Sequence, residues 1–275
     1  MTGKRLRVIH YKVSAVAILI VLFLVSCAEV PITGRRQLAF IPQSQLLVLS
    51  TDQYNNLIRA SKLSQDPVKT QMVRNVGQKI ASAAEQFMRE NNMEQELKNY
   101  QWEFNLIEDD KTINAFAMPG GKIAVYTGIL PITRDEDGLA VIMGHEVAHA
   151  IANHGGERMS QLLLVQLGGV ALSTALSTNP GLTGELLMAA YGAGTEVGVL
   201  LPYSRRHELE ADRIGLILMA RAGYHPQSAV HFWERMRDLE GREAPPEFLS
   251  THPAPERRIR DIRAHVTEAM KYYNK

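Results

Sequence analysis

His145, Glu146 and His149 form Gly-His-Glu-Val-Ala-His inside the apolar stretch 139–151. Leu139, Val141, Ile142, Val147 and Ile151 recur at mixed three- and four-residue spacings, which predicts a helix. On a helix His145 and His149 lie one turn apart on one face, where two imidazoles can grip a single metal ion. A catalytic zinc ion takes three protein ligands and keeps a position for water, and the Glu146 carboxylate is placed to take that water's proton. The alternative is a surface helix with two polar neighbours. The apolar flanks oppose it, because buried imidazoles and a buried carboxylate are costly without partners that a metal would supply. The pattern still needs a third ligand.

A candidate lies in the run Ser204-Arg205-Arg206-His207-Glu208-Leu209-Glu210-Ala211-Asp212-Arg213-Ile214-Gly215. Glu208 and Asp212 are four apart and share a helical face, while Glu210 points elsewhere. Glu208 could complete a two-His, one-Glu site, and Asp212 could accept the free N–H of a liganding imidazole and fix its tautomer. The same run also reads as an exposed, charge-laced helix face.

These side chains need elements to carry them. Asp66 caps and Pro67 opens a long helix towards residue 93, with Val68, Met72, Val76, Ile80, Ala83 and Phe87 facing a core. Helical patterning also begins near Ser44. The period then changes to two: Trp102, Phe104 and Leu106 alternate with polar neighbours, and two short strands follow over 115–118 and 123–126, around a Pro119-Gly120-Gly121 turn. If Asn114, Ala115, Phe116, Ala117 and Met118 form an open sheet edge beside the metal helix, an extended peptide could add to it through main-chain hydrogen bonds that ignore sequence. Asp135, Glu136 and Asp137 favour the N-terminus of the motif helix, which should end near 153–156. Residues 162–201 predict an apolar helical hairpin broken at Asn179-Pro180-Gly181, each arm short for a bilayer span. The fold class is mixed α+β, mostly helical, with a small, mainly antiparallel sheet beside the metal helix.

At the start, Lys4, Arg5, Arg7 and Lys12 precede an uncharged run over 13–25 that ends in Leu24-Val25-Ser26-Cys27. This predicts an export signal over 1–26, the alternative being a plain membrane anchor. Its end resembles a bacterial lipoprotein box, which implies a lipid on Cys27, the one cysteine of the chain. A single cysteine also excludes an internal disulfide. Ala28 in place of Asp, by resemblance to lipoprotein sorting in Gram-negative bacteria, implies the periplasmic face of the outer membrane. Residues 27–43 read as an irregular tether and 44–275 as one domain. Once 1–26 is removed the balance is slightly acidic, which argues against a nucleic-acid partner.

The motif at 145–149, the later Glu208 and Asp212, Met118-Pro119-Gly120-Gly121 and Tyr126-Thr127-Gly128 together resemble the zinc peptidases of the CAAX-prenyl-protease and HtpX type, nearest the periplasmic lipoprotein branch that includes LoiP and BepA. The resemblance covers about 31–265. It implies a zincin-like (minigluzincin) domain and a metalloendopeptidase, with His145, His149 and Glu208 on one Zn2+ and Glu146 as base and proton shuttle. It further implies extended polypeptide substrates among misfolded or misassembled envelope proteins. Thr251-His252-Pro253 and Arg258 also match the family pattern. His252 and Arg258 are candidates to stabilise the oxyanion; by resemblance Arg258 holds or polarises the site, and His252 could instead take the fourth zinc position in a latent state. His154, His207, His225, His231 and His265 are assigned to structure. Two other readings are an envelope chaperone or assembly factor with a locked or structural metal, whose 162–201 hairpin recruits assembly machinery, and a zinc hydrolase acting on cell-wall amides.

Overall fold

The computed structural model describes residues 27–30, 33–39, 41–167, 204–240, 247–253 and 256–273. The expected export signal over 1–26 lies outside the described residues, as does the expected apolar hairpin after Leu167. The elements run β1 (Cys27–Glu29), β2 (Arg36–Leu38), α1 (Gln43–Ala60), α2 (Pro67–Glu90), α3 (Glu94–Leu97), β3 (Glu103–Ile107), β4 (Ala115–Met118), β5 (Lys122–Tyr126), α4 (Leu130–Thr133), α5 (Glu136–Ile151), α6 (His154–Leu167), α7 (Arg205–Arg221), α8 (Ser228–Glu240), α9 (Glu247–Thr251) and α10 (Glu256–Ala269).

Local chemistry sets the helix starts. The Asp66 carboxylate accepts the N–H groups of Val68 and Lys69, with Pro67 in the first turn of α2. Asp135 accepts the N–H of Gly138 at the head of α5, and the Ser204 hydroxyl accepts that of His207 at the head of α7. The core stripe of α2 includes Val76, Ile80, Ala83 and Phe87 as expected, but Val68 is 77% exposed. It sits in the first turn, before the helix reaches its packing partners, and the buried stripe begins at Val73.

The three-stranded sheet has the order β3-β5-β4, with β4 antiparallel and β3 parallel to β5. This sheet is therefore mixed, with one parallel and one antiparallel pairing, and the antiparallel β1–β2 pair forms a separate sheet. Gly120 and Gly121 turn the β4–β5 hairpin at φ of 85° and 78°, a region open to glycine. Alternation sorts the side chains between two faces. Phe116, Met118, Ala124 and Tyr126 join Leu46 and Tyr54 of α1 in a smaller core, and the Tyr54 hydroxyl donates to the Ile123 carbonyl. Ala115, Ala117, Ile123 and Val125 face the main core, shared with α2, α5, α7, α8 and α10. Alanine at 115 and 117 leaves room for α5 to lie against β4.

Where the sequence reads as an irregular tether, the described residues form the β1–β2 hairpin, with Cys27 paired to Leu38 and Val30 and Gln37 buried. Three-residue strands carry too little periodicity to be read from sequence, and Val30 gains its cover only from the rest of the fold. Among the described residues, no helix is long and apolar enough to cross a membrane.

The most extensive helix contact is between α5 and α7. They cross at Gly144 and Gly215, where a Cβ on Gly144 would stand 2.9 Å from the Gly215 carbonyl oxygen and a Cβ on Gly215 2.9 Å from the His145 nitrogen. Backbone meets backbone, so neither helix can yield without separating from the other. Gly144→Ala should therefore destabilise the protein by about 1–3 kcal/mol. In a thermal melt this appears as a fall in Tm of roughly 2–4 °C per kcal/mol for a chain of this size; unchanged melting would show that the crossing tolerates a methyl group.

Candidate metal centre

Because α5 and α7 touch at the glycines, their next turns bring side chains into one buried cluster. His145 and His149 of α5 hold their Nε2 atoms 3.1 Å apart. Glu208 of α7 places Oε2 3.5 Å from Nε2 of His145 and Oε1 3.3 Å from Nε2 of His149. His252, just after α9, brings Nδ1 to 3.2 Å from Nε2 of His145 and 3.0 Å from Oε1 of Glu208. One potential ligand atom from each of these four buried residues lies within 4.8 Å of all the others.

Asp212 lies one turn beyond Glu208, with Oδ1 3.0 Å from Nδ1 of His145. Arg258 of α10 clamps both acids. Its Nε and Nη2 donate to the two oxygens of Asp212 at 2.7 and 2.8 Å, and Nη1 lies 2.6 Å from Oε2 of Glu208 and donates to the Pro253 carbonyl. The guanidinium carbon is 3.5 Å from the Trp233 ring centroid. A planar, bidentate cation suits this position, and its donors are already engaged by the protein.

Glu146 turns to the other side, towards the sheet edge. Its Oε2 accepts the Ala117 N–H at 3.1 Å, and Oε1 lies 3.5 Å from Nε2 of His252. Asn114 passes its carbonyl to Tyr126 of β5, so by alternation the main-chain groups of Ala115 and Ala117 point to the open side of β4. The Ala115 N–H is taken by the Asn114 side chain. The edge residues Asn114, Ala115, Phe116, Ala117 and Met118 are all buried, and the Phe248 N–H of α9 donates to the Ile113 carbonyl just ahead of them. Phe248 also stacks on His252, with centroids 4.4 Å apart.

The charge balance fits a cation. Glu146, Glu208 and Asp212 are buried together with one guanidinium, Arg258. Burial raises the Glu146 carboxyl to about 8. Burial alone would lower His145, but the carboxylates of Asp212 and Glu208 outweigh it and raise this imidazole to about 9, so in the bare protein a proton supplies part of the missing positive charge. Burial opposes ionisation of Glu208, yet Arg258, His252 and His145 hold it well below the carboxylate range. Burial lowers His252 to about 4 and holds His149 well below the usual imidazole range, so both are neutral and have lone pairs to give. Donor atoms around a tetrahedral ion with bonds of about 2.0–2.1 Å stand roughly 3.3 Å apart. Nitrogen separations of 3.1 and 3.2 Å, and contacts of 3.0 to 3.5 Å to one or other Glu208 oxygen, lie around that spacing, so these residues can surround one small divalent ion.

One part of the centre is not evident from sequence reasoning. His154, given only a structural part there, sets Nδ1 2.9 Å from Nδ1 of His149, with Glu210 and then Arg35 and Glu157 behind it. The one sequence signal is local: His154 follows His149 by five residues. His207 joins the same group, whereas His231 is exposed beside Glu234 and His265 is half-buried beside Glu268.

A His-Glu-x-x-His helix, a carboxylate from a second helix and a sheet edge beside the glutamate define the class: a metallopeptidase. Residues 70–266 match peptidase family M48, and the chain belongs to that family. It is 31% identical over 255 residues to the mitochondrial metalloendopeptidase OMA1 of Saccharomyces cerevisiae, covering 89% of this chain and 70% of that protein. It is 40% identical over 175 residues to OMA1 of Schizosaccharomyces pombe, covering 63% of this chain and 49% of the relative. It is 33% identical over 228 residues to the beta-barrel assembly-enhancing protease of Escherichia coli, covering 79% of this chain and 43% of the relative. The chain thus spans between about two fifths and seven tenths of these relatives' own length.

Asp212 connects Arg258 to His145, so if this cluster holds an ion, removing its charge should loosen that imidazole without removing it. Asp212→Asn should lower divalent-ion affinity by about 10- to 100-fold. Competition with a chromophoric chelator reads the loss, and wild-type affinity would separate Asp212 from the metal centre.

Proposed function

We propose that this chain is a zinc-dependent metalloendopeptidase cleaving extended stretches of misfolded or misassembled cell-envelope proteins. The observation that carries the reading is the meeting of His145, His149 and Glu208 in one buried cluster, with the Glu146 carboxylate held beside it by the Ala117 N–H. His145, His149 and Glu208 hold the ion, and Asp212 and Arg258 hold those ligands. When bound, zinc supplies Lewis acidity that brings a water molecule's pKa close to neutral and polarises a peptide carbonyl. Glu146 takes the proton from the attacking water and delivers it to the leaving amine. Its hydrogen bond to the Ala117 N–H fixes the carboxylate's direction, and its buried setting excludes competing solvent. The open side of β4 takes the substrate main chain as an added strand, which gives broad sequence tolerance. Cleavage would then require Phe248 to leave the Ile113 carbonyl and His252 to leave Glu146, and in a latent state His252 would be the fourth residue holding the ion.

The envelope assignment rests on the sequence: the basic start, the apolar run and Leu24-Val25-Ser26-Cys27, read as an export signal and lipidation site for the periplasmic face of the outer membrane. The Escherichia coli relative's name links such a protease to β-barrel assembly, whereas OMA1 is mitochondrial. The bacterial-type lipoprotein box at Cys27 favours the former setting.

Glu146→Gln should keep zinc content near one per chain yet slow cleavage of an unfolded β-barrel protein by at least about 100-fold, and a chelator should abolish wild-type cleavage. His252→Ala should speed the same digest. Undiminished hydrolysis by Glu146→Gln would remove the assigned base.

A further inference from the structure

The β1–β2 hairpin reaches the metal cluster through side chains of α6 and α7. Arg35, in its connecting turn, lies across two carboxylates from different helices. Nη2 is 2.8 Å and Nη1 3.1 Å from the oxygens of Glu157 on α6, and Nε is 3.0 Å from Oε2 of Glu210 on α7. The Thr33 hydroxyl also donates to Glu210. The arginine side chain is 12% exposed, and the two acids less so. Each acid in turn meets an imidazole: Glu210 Oε2 lies 2.9 Å from Nε2 of His154, and Glu157 Oε2 lies 2.9 Å from Nε2 of His207. The two rings stack, with centroids 4.5 Å apart and planes 18° from parallel.

Hydrogen-bond directions along this chain follow from what each group can do. A carboxylate only accepts, so Nε2 of His154 must donate to Glu210. A neutral His154 then carries its lone pair on Nδ1, 2.9 Å from Nδ1 of His149, and can only accept there. His149 therefore has its proton on Nδ1, and its Nε2, 3.1 Å from that of His145, is bare. Without Glu210 the pair could reverse. Nδ1 of His154 would donate, and Nε2 of His149 would carry hydrogen into the metal cluster, where it cannot ligate. Ligation through Nε2 of His149 requires the same arrangement, because it leaves that ring's proton on Nδ1, facing the Nδ1 lone pair of His154.

We infer that the N-terminal hairpin is part of the metal centre, with Arg35 a positioning residue that, through Glu210 and His154, sets the tautomer of His149. This rests on the reading of His149 as a metal ligand. Coupling between two sites is reciprocal: if the docked hairpin favours zinc, zinc favours the docked hairpin by the same factor.

The test uses the full chain and zinc itself, with zinc affinity measured by chelator competition and amide exchange measured across β2. Arg35→Met and His154→Leu should each weaken zinc binding by at least about tenfold, as loss of a ligand's supporting partner does. The milder variants should retain most of it: Arg35→Lys keeps a cation, and His154→Asn can set an amide oxygen where Nδ1 stood. Zinc should slow exchange of the β2 amides in the wild type and fail to do so in His154→Leu. A hairpin that merely stabilises the fold predicts otherwise: Arg35→Met would melt at lower temperature with zinc affinity unchanged, which overturns the inference. If the variants do not fold, wild-type exchange decides, and β2 protection indifferent to zinc overturns it equally. A wild-type chain that binds no zinc would instead sink the metalloendopeptidase reading, whereas zinc held equally by the wild type and folded variants would sink only the role of Arg35.

Discussion

Everything at the centre of this protein depends on two helices touching backbone to backbone. Gly144 and Gly215 let α5 and α7 approach so closely that the following turns must interleave their side chains. With bulkier residues the helices would stand at ordinary separations of about 8–10 Å, and His145, Glu208 and Asp212 would be drawn out of one another's reach. The sheet adds a second constraint from the other side. Ala115 and Ala117 keep β4 close to α5, so that a main-chain N–H can hold the glutamate beside the two histidines.

The same proximity concentrates charge in a place where it is costly. Removing one member of a buried ion pair costs about 3–5 kcal/mol because its partner stays behind unmatched. Here Arg258 serves Asp212 and Glu208 at once, and His145 faces both acids. In the bare protein protons on His145 and Glu146 complete the balance, and a cation would take their place, so folding and metal binding draw on the same free energy. Beyond His149, the hairpin group continues the pattern: Glu210 and Glu157 are both lowered to about 2 because His154, His207 and Arg35 outweigh the cost of burying them.

How much of this the chain disclosed in advance follows the range of each interaction. His145, Glu146 and His149 are legible because their geometry is set within one helical turn. Helix starts at Asp66-Pro67 and Asp135 are equally local. Glu208 and Asp212 show a shared face, but only resemblance to a family separated that pair from an ordinary charged helix. Alternation revealed the strands but not their partners, so the parallel pairing of β3 with β5 was not readable. Arg35 and Glu210 are 175 positions apart and joined only by tertiary packing, and no short-range pattern connects them. Within 27–43, expected to be an irregular tether, β1 and β2 pair for the same reason: three-residue strands leave no local pattern that shows what they rest against.

That hairpin changes the mooring of the whole body. Sixteen unpaired residues could pay out roughly 50 Å of leash, enough for a domain to roam above a lipid surface. Cys27, however, is already in register with Leu38. Under the proposed acylation little free chain would separate the lipid from the folded body, restricting the directions from which a client chain can approach β4.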